Sequence, residues 1–327
     1  MPAPAGRAAS RGILQLTERL VKIVPGGNVP AVMSRPLSVL GFQLRPVAYD
    51  PAGTLDRFEG YANLARREFP GSDLYLFPEL YLTGEDPFTL DPPTDFMREV
   101  AQEIPGPLTD RVGKIAAKVR RWIVAGSVFE REGSEVYNTA LVFSPEGDLV
   151  TTYRKLFPWQ PFETSTPGDA PPPVFDIPGV GRAGLMICYD GWFPEVSRGL
   201  ALRGAEVILH PTLTSTPDRE EELVLARANA IVNQCYVVNI NMGGTIGGGR
   251  STAVDPEGRV LYTAGTGEAL LPEVLDLERA ADVRARGSRG LTSPLRHFRE
   301  GPAAVMQPYD ELREGRDLEG GSPSDRS

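Results

Sequence analysis

Three residues stand where apolar, strand-like runs give way to turns, and their types could do covalent chemistry. Cys188 lies in GLMICYDGWFPE (184–195), just beyond an apolar run ending at Ile187 and ahead of a helix opening at Pro194. A side chain at such a strand-to-helix turn sits at a sheet edge with unbonded backbone N–H groups nearby. That setting is expected to lower a thiol's pKa and favour the thiolate. A lone cysteine is more often a buried structural residue, but the polar Tyr189-Asp190-Gly191 that follows argues against that here. Cys235 opens a strand-like run and reads as core.

A cysteine nucleophile needs a base, most often histidine. The chain has only two histidines, so few arrangements are open. His210 falls at an expected strand end and His297 in a charged C-terminal stretch, neither a convincing setting. The base is then sought among carboxylates and lysines, since burial can raise a carboxylate's pKa toward neutrality. Glu79 follows DLYLFP at the end of an apolar strand, where a carboxylate is costly without partners or work. Lys155 in YRKLFPWQPFE (153–163) is the matching cation, able to stabilise a tetrahedral oxyanion. Taken singly, Glu79 could equally be a loop glutamate and Lys155 a snorkelling surface lysine. Trp159, Trp192 and Phe193 are candidates to line a pocket or to pack. The glycines at 243–244 and 247–249 lack the Lys-Ser/Thr of a phosphate loop and read as a flexible loop near the pocket.

The elements that must position these residues alternate between strand and helix. Strands are expected at 37–44, 73–80, 122–129, 137–143 and 149–153, with helices near 51–68 and 108–121. In the second half, strands are expected at 174–177, 183–187, 207–210, 236–240, 252–254 and 260–263. Helices there run from Pro194 to about residue 203 and from a Thr216 N-cap with Pro217 to about residue 234. Residues 36–288 contain no linker-like break and read as one domain. Residues 1–35 read as an extension with a short amphipathic helix at 13–24, whose Glu18, Arg19 and Lys22 do not suit a secretory signal. Residues 289–327 read as a C-terminal extension ending in a mobile tail.

Composition narrows the function. A hydrophobic fraction of 41% with 24% charged residues is that of a folded soluble protein. A net charge of −9 disfavours general nucleic-acid binding, which needs a basic face. No apolar run approaches the ~20 residues that span a bilayer, so a cytoplasmic protein is expected. Two cysteines make no disulfide scaffold, and no Cys/His cluster suggests a metal site.

Together the motifs FPEL-x-LTG around Glu79, YRKLFPW around Lys155 and CYDGWFPE around Cys188 resemble the three motifs of the nitrilase superfamily of carbon–nitrogen hydrolases. The resemblance covers about residues 36–288. It implies an α/β fold, a four-layer α-β-β-α sandwich usually paired with a second copy as a homodimer or higher homo-oligomer. It also implies a Glu79–Lys155–Cys188 triad with the backbone N–H of Tyr189 facing the oxyanion, and no metal or organic cofactor. PW-x-P-x-E resembles the aliphatic amidase and formamidase branch, where Glu163 would position a small amide substrate. The implied reaction is hydrolysis of a carboxamide to carboxylate and ammonia through a cysteine thioester. Two alternatives stay open: an N-carbamoyl amidohydrolase, suggested by GAEVILHPT, and an acyltransferase passing the thioester to an amine. Tyr189 and the Gly191-Trp192 pair depart from the amidase and D-amino-acid carbamoylase patterns respectively, so the substrate is open.

Overall fold

A computed structural model describes residues 34–88, 93–244 and 248–313 of the chain. The first half builds β1 (Pro36–Gln43), α1 (Pro51–Glu68), β2 (Leu74–Leu76), the short α2 (Phe96–Val100), α3 (Pro107–Val119), β3 (Trp122–Glu132), β4 (Glu135–Phe143) and β5 (Leu149–Arg154). The second builds β6 (Val174–Ile177), β7 (Gly181–Leu185), α4 (Pro194–Leu202), β8 (Val207–Thr212), α5 (Arg219–Asn233), β9 (Tyr236–Asn241), β10 (Thr252–Val254) and β11 (Val260–Thr263). β12 (Ala269–Asp276), α6 (Leu277–Arg286), α7 (Pro294–Glu300) and α8 (Gln307–Arg313) complete the described chain.

These strands form two six-stranded sheets, ordered β12-β1-β2-β3-β4-β5 and β11-β10-β9-β8-β7-β6. Within them β1-β2-β3 and β7-β8-β9 are parallel. The period-two alternation of each strand explains the layering. In β1, Leu37 and Val39 point between the sheets, meeting Leu185, Leu209 and Val238 from the other sheet. Leu40 and Phe42 point the other way, onto Phe58 and Ala62 of α1 and Val112 and Ile115 of α3. Ile208 and Val237 likewise turn outward onto Leu200 of α4 and Ala230 of α5. The result is helix, sheet, sheet, helix, the four layers the resemblance implied. Each such buried Leu, Ile, Val or Phe contributes roughly 1.5–3 kcal/mol.

Several expected elements differ in extent. The strand expected at 73–80 is regular only over β2. Phe77 still donates to the Val124 carbonyl at 2.9 Å, but Pro78 has no N–H to give and Leu80 turns left-handed (φ 51°). Thr216 is not the N-cap of α5. Thr216-Pro217 forms a preceding turn, and the helix opens two residues later than expected, at Arg219, whose side chain is drawn inward to Glu222 and Asn239. His210 lies within β8 rather than at its end. β12 was not anticipated. Its Pro272 argues against a central strand, and it is in fact an edge strand paired antiparallel with β1. Part of the expected tail is ordered, with α8 docking Tyr309 Oη on Glu195 at 2.9 Å. The expected extension 1–35 lies, apart from its last two residues, outside the described residues, as do 314–327.

Candidate active site

Glu79, Lys155 and Cys188 each stand just past the end of a strand and open onto one cavity. Glu79 lies three residues past β2, where the chain crosses closely over a bulge in β3 at Gly126. A Cβ on Gly126 would lie 1.7 Å from the Pro78 carbonyl oxygen, and its φ is +72°, so only glycine lets the Glu79 loop pass. Lys155 directly follows β5 and donates its backbone N–H to the Asn138 carbonyl of β4 at 2.9 Å. Cys188 follows β7 as the first residue of a 3₁₀ turn and adopts a positive φ of 42°.

The side chains converge. Lys155 Nζ donates to Glu79 Oε1 at 2.9 Å and to Glu163 Oε2 at 2.5 Å. Asn138 Nδ2 bridges the same two carboxylates at 2.8 and 3.0 Å, and Ser165 Oγ and the Trp159 N–H complete the set around Glu163. The Cys188 thiol opens beside them, within electrostatic reach of Glu79 and Lys155. Lys155 and Glu79 are 2% and 3% exposed, so water barely screens this cluster. Glu79, Lys155, Glu163 and Cys188 open together onto a cavity of about 510 Å³. Tyr189, Trp159 and Trp192 line it. Phe193 takes the packing role of its two alternatives: it stacks on Phe157 with ring centroids 3.6 Å apart and packs against the core under α4.

Charge in this pocket is set by burial first. Burial raises the Glu79 carboxyl above the usual range despite the nearby Lys155 cation. Burial opposes charge on Lys155, yet Glu79 and Glu163 hold it protonated, its pKa well above that of an ordinary lysine. Burial likewise disfavours charged Glu163, but Lys155 holds its carboxyl below the usual range. The thiol departs from expectation. Burial and then the Glu79 charge push Cys188 well above an ordinary thiol, opposite to the lowering that the strand-to-helix turn led us to expect. A thiol held protonated against a basic carboxylate suits deprotonation during attack rather than a resting thiolate.

A second buried network lies behind the nucleophile. His210 Nε2 is 2.9 Å from the Cys188 carbonyl oxygen, and its Nδ1 faces Asn239 Nδ2 at 3.0 Å. The amide can only donate, so the proton sits on Nε2 and the imidazole holds the Cys188 backbone rather than its sulfur. Gly191 makes room for that ring, since a Cβ there would lie 2.6 Å from His210 Cε1. Glu222 accepts from Asn239 at 3.0 Å and from Thr214 Oγ1 at 2.6 Å and pairs with Arg219 at 2.7 Å. Thr214 Oγ1 lies 3.8 Å from Cys188 Sγ. Asp190 ties the cysteine turn to the lysine loop, accepting from Tyr153 Oη at 2.8 Å and from the N–H groups of Ile187 and Phe157. Asn138, Thr214, Arg219, Glu222 and Asn239 escaped the sequence reading. The available signal was asparagine inside apolar strand runs, as in EVYNTALVF and YVVNIN.

The described glycines at 243–244 and 248–249 are not among the residues that line the cavity; Gly244 and Gly248 pack against the Phe88 ring, and Gly247 lies outside the described residues. Among the described residues no group of His, Cys, Asp and Glu could hold a metal ion, and no helix is long and apolar enough to cross a membrane.

Residues 41–285 match the carbon–nitrogen hydrolase family. Over 178 residues the chain is 36% identical to formamidases of Bacillus thuringiensis (strain Al Hakam) and Bacillus anthracis. That stretch is 54% of this chain and 52% of theirs, so the chain spans about half the length of the curated relatives it matches. Saccharomyces cerevisiae Nit3, a member of branch 10 of the nitrilase superfamily, superposes with a TM-score of 0.69 at 27% identity, over 78% of this chain and 96% of that one. A cysteine-to-alanine variant of the amidase from Nesterenkonia sp. AN1, in complex with butyramide, superposes with a TM-score of 0.66 at 28% identity, over 81% and 100% of the two chains. Another variant of that amidase carries acrylamide added to its active-site cysteine.

Proposed function

The chain belongs to the carbon–nitrogen hydrolase family of the nitrilase superfamily, and from that premise we propose that it hydrolyses a small carboxamide to a carboxylate and ammonia. The observation that carries this reading is the convergence of Cys188, Glu79, Lys155 and Glu163 on one cavity, with Lys155 bridging the two glutamates. Butyramide and acrylamide in the Nesterenkonia amidase structures, and the formamidase relatives, support a small amide as substrate.

Glu79 takes the thiol proton as Cys188 Sγ bonds to the carboxamide carbon and the carbonyl electron pair moves onto oxygen. Lys155 and the backbone N–H of Tyr189, which as the second residue of its 3₁₀ turn has no acceptor within that turn, stabilise the oxyanion. Glu79 returns the proton to the amide nitrogen, the C–N bond breaks, and ammonia leaves a thioester. Water then loses a proton to Glu79 as it adds to the thioester carbon, and the C–S bond breaks to release the carboxylic acid. The acid gives its remaining proton to solvent or ammonia and leaves as the carboxylate. Glu79's proton passes back to the sulfur. Glu163, fixed by Lys155, Asn138, Ser165 and the Trp159 N–H, orients the amide in the pocket.

An ammonia-release assay over simple amides, carbamoyl compounds and nitriles tests the proposal, with Cys188→Ala as the control. Release from amides that disappears in the variant is expected. Unchanged turnover in the variant would overturn the mechanism. Carbon dioxide release would transfer the reading to carbamoyl hydrolysis, and turnover only with added amine would transfer it to acyl transfer.

A further inference from the structure

The proposed chemistry uses Glu79 and Glu163 but leaves a third glutamate of the same cavity without a task. Glu85 lines the pocket, half-buried. Burial, with Glu79 and Glu163 nearby, pushes its carboxyl up to about 7. Among the described residues no cation or hydrogen-bond donor pairs with this carboxylate.

Its neighbours show that this is not a loose loop. Asp86 is neutralised by Arg45 at 2.6 Å and caps the Phe88 N–H at 3.0 Å. Tyr49 Oη donates to the Asp86 carbonyl at 3.1 Å, and the Tyr49 N–H to the Gly84 carbonyl at 2.9 Å. The Glu85 N–H is itself held by Thr83 Oγ1 at 3.1 Å. The backbone on both sides of Glu85 is therefore clamped, and one acid of the Glu85-Asp86 pair is consumed in the clamping. The cations of the wall are engaged as well. Lys155 is held by Glu79 and Glu163, and the Arg98 guanidinium reaches the Ser134 carbonyl. Asp95 and Asp218 add further acid to the lining. A fixed, half-buried carboxylate without a partner is costly, and the cost falls when a ligand brings the missing cation.

We propose that Glu85 receives the cationic end of the substrate, so that the preferred amide carries an ammonium group at the end away from its carboxamide. The same wall disfavours amides that carry a carboxylate, by like-charge repulsion. A cavity of about 510 Å³ has room for an amide of this size. The inference rests on the amidase reading and refines its substrate.

Three amides of similar length separate the possibilities: 4-aminobutanamide, neutral butyramide and anionic succinamate. Calorimetric binding to Cys188→Ala needs no turnover and tests Glu85 alone, whereas ammonia release by the intact enzyme tests the amidase reading. Tightest binding of 4-aminobutanamide and weakest of succinamate is expected. Glu85→Gln should lower the cationic-to-neutral preference about tenfold, and Glu85→Lys should turn it toward succinamate. Equal binding of the cationic and neutral amides, a preference for succinamate, or a preference untouched by Glu85→Gln would each overturn the proposal. The ranking in Cys188→Ala decides by itself should either Glu85 variant fail to fold. Ammonia release from none of the three, with the ranking intact, would count against the amidase reading and not against Glu85.

Discussion

Glu79 is where chemistry and stability pull apart. Its carboxyl is raised by burial, so its contribution to folding is present below the ordinary glutamate pKa and is lost as pH rises through the higher folded value. At pH 7 the ionised form is thus a net cost, retained for its basicity. Glu79→Gln is expected to cut kcat by roughly 10²–10⁴, the usual share of a general base, while raising the melting temperature at pH 7. A lower melting temperature would contradict this account. The same shift fixes the acid side of the wild-type profile. Activity should fall as pH drops through a value above the ordinary glutamate range, and a pH–rate profile with its acid limb at or below that range would contradict it.

At the scale of elements, the site depends on how strand ends are brought together. The Gly126 bulge lets the β2 exit pass over β3, and any side chain there meets the Pro78 carbonyl. Gly126→Ala should destabilise the fold by at least about 2 kcal/mol and lower kcat by moving Glu79, measurable by urea denaturation and steady-state kinetics. Stability within a few tenths of wild type would show that the loop can reroute. The link between α5 and the ends of β8 and β9 is the buried Arg219–Glu222 pair, both nearly inaccessible. Burial opposes charge on Glu222, but Arg219, His210 and Thr214 hold its carboxyl below the usual range. Its contribution is therefore present at neutral pH and lost as pH falls through the folded value. Glu222→Ala leaves Arg219 buried and unpaired and should cost about 3–5 kcal/mol. Equilibrium unfolding at pH 7 checks it, with a loss under 1 kcal/mol as the contrary result.

At the scale of the whole molecule, α5 presents Val224, 65% exposed, together with Ile231 and Val232, and α4 presents Leu202. Scattered apolar residues need no explanation, but a row on adjacent outer helices suits association with a second copy. Sedimentation should show a dimer that Val224→Glu with Ile231→Asp shifts to monomer; a wild-type monomer at micromolar concentration would remove the expectation. The strand and helix order, the four layers and the positions of Glu79, Lys155 and Cys188 just past strand ends were legible from alternation, turn residues and motif spacing. The extent of the strand before Glu79, the start of α5 and the edge strand β12 were not. Each depends on a partner distant in sequence: the β3 bulge, the Asn239 acceptor of Arg219, and β1. What the sequence determined by itself was which side chains stand at the exits of the strands, because side-chain direction and chain reversal are local properties. Tertiary structure alone decided their protonation and partners, because burial and through-space charge outweigh the local turn. Glu79 and Cys188, 109 positions apart (188 − 79), act on each other's charge, a coupling that no sequence window contains.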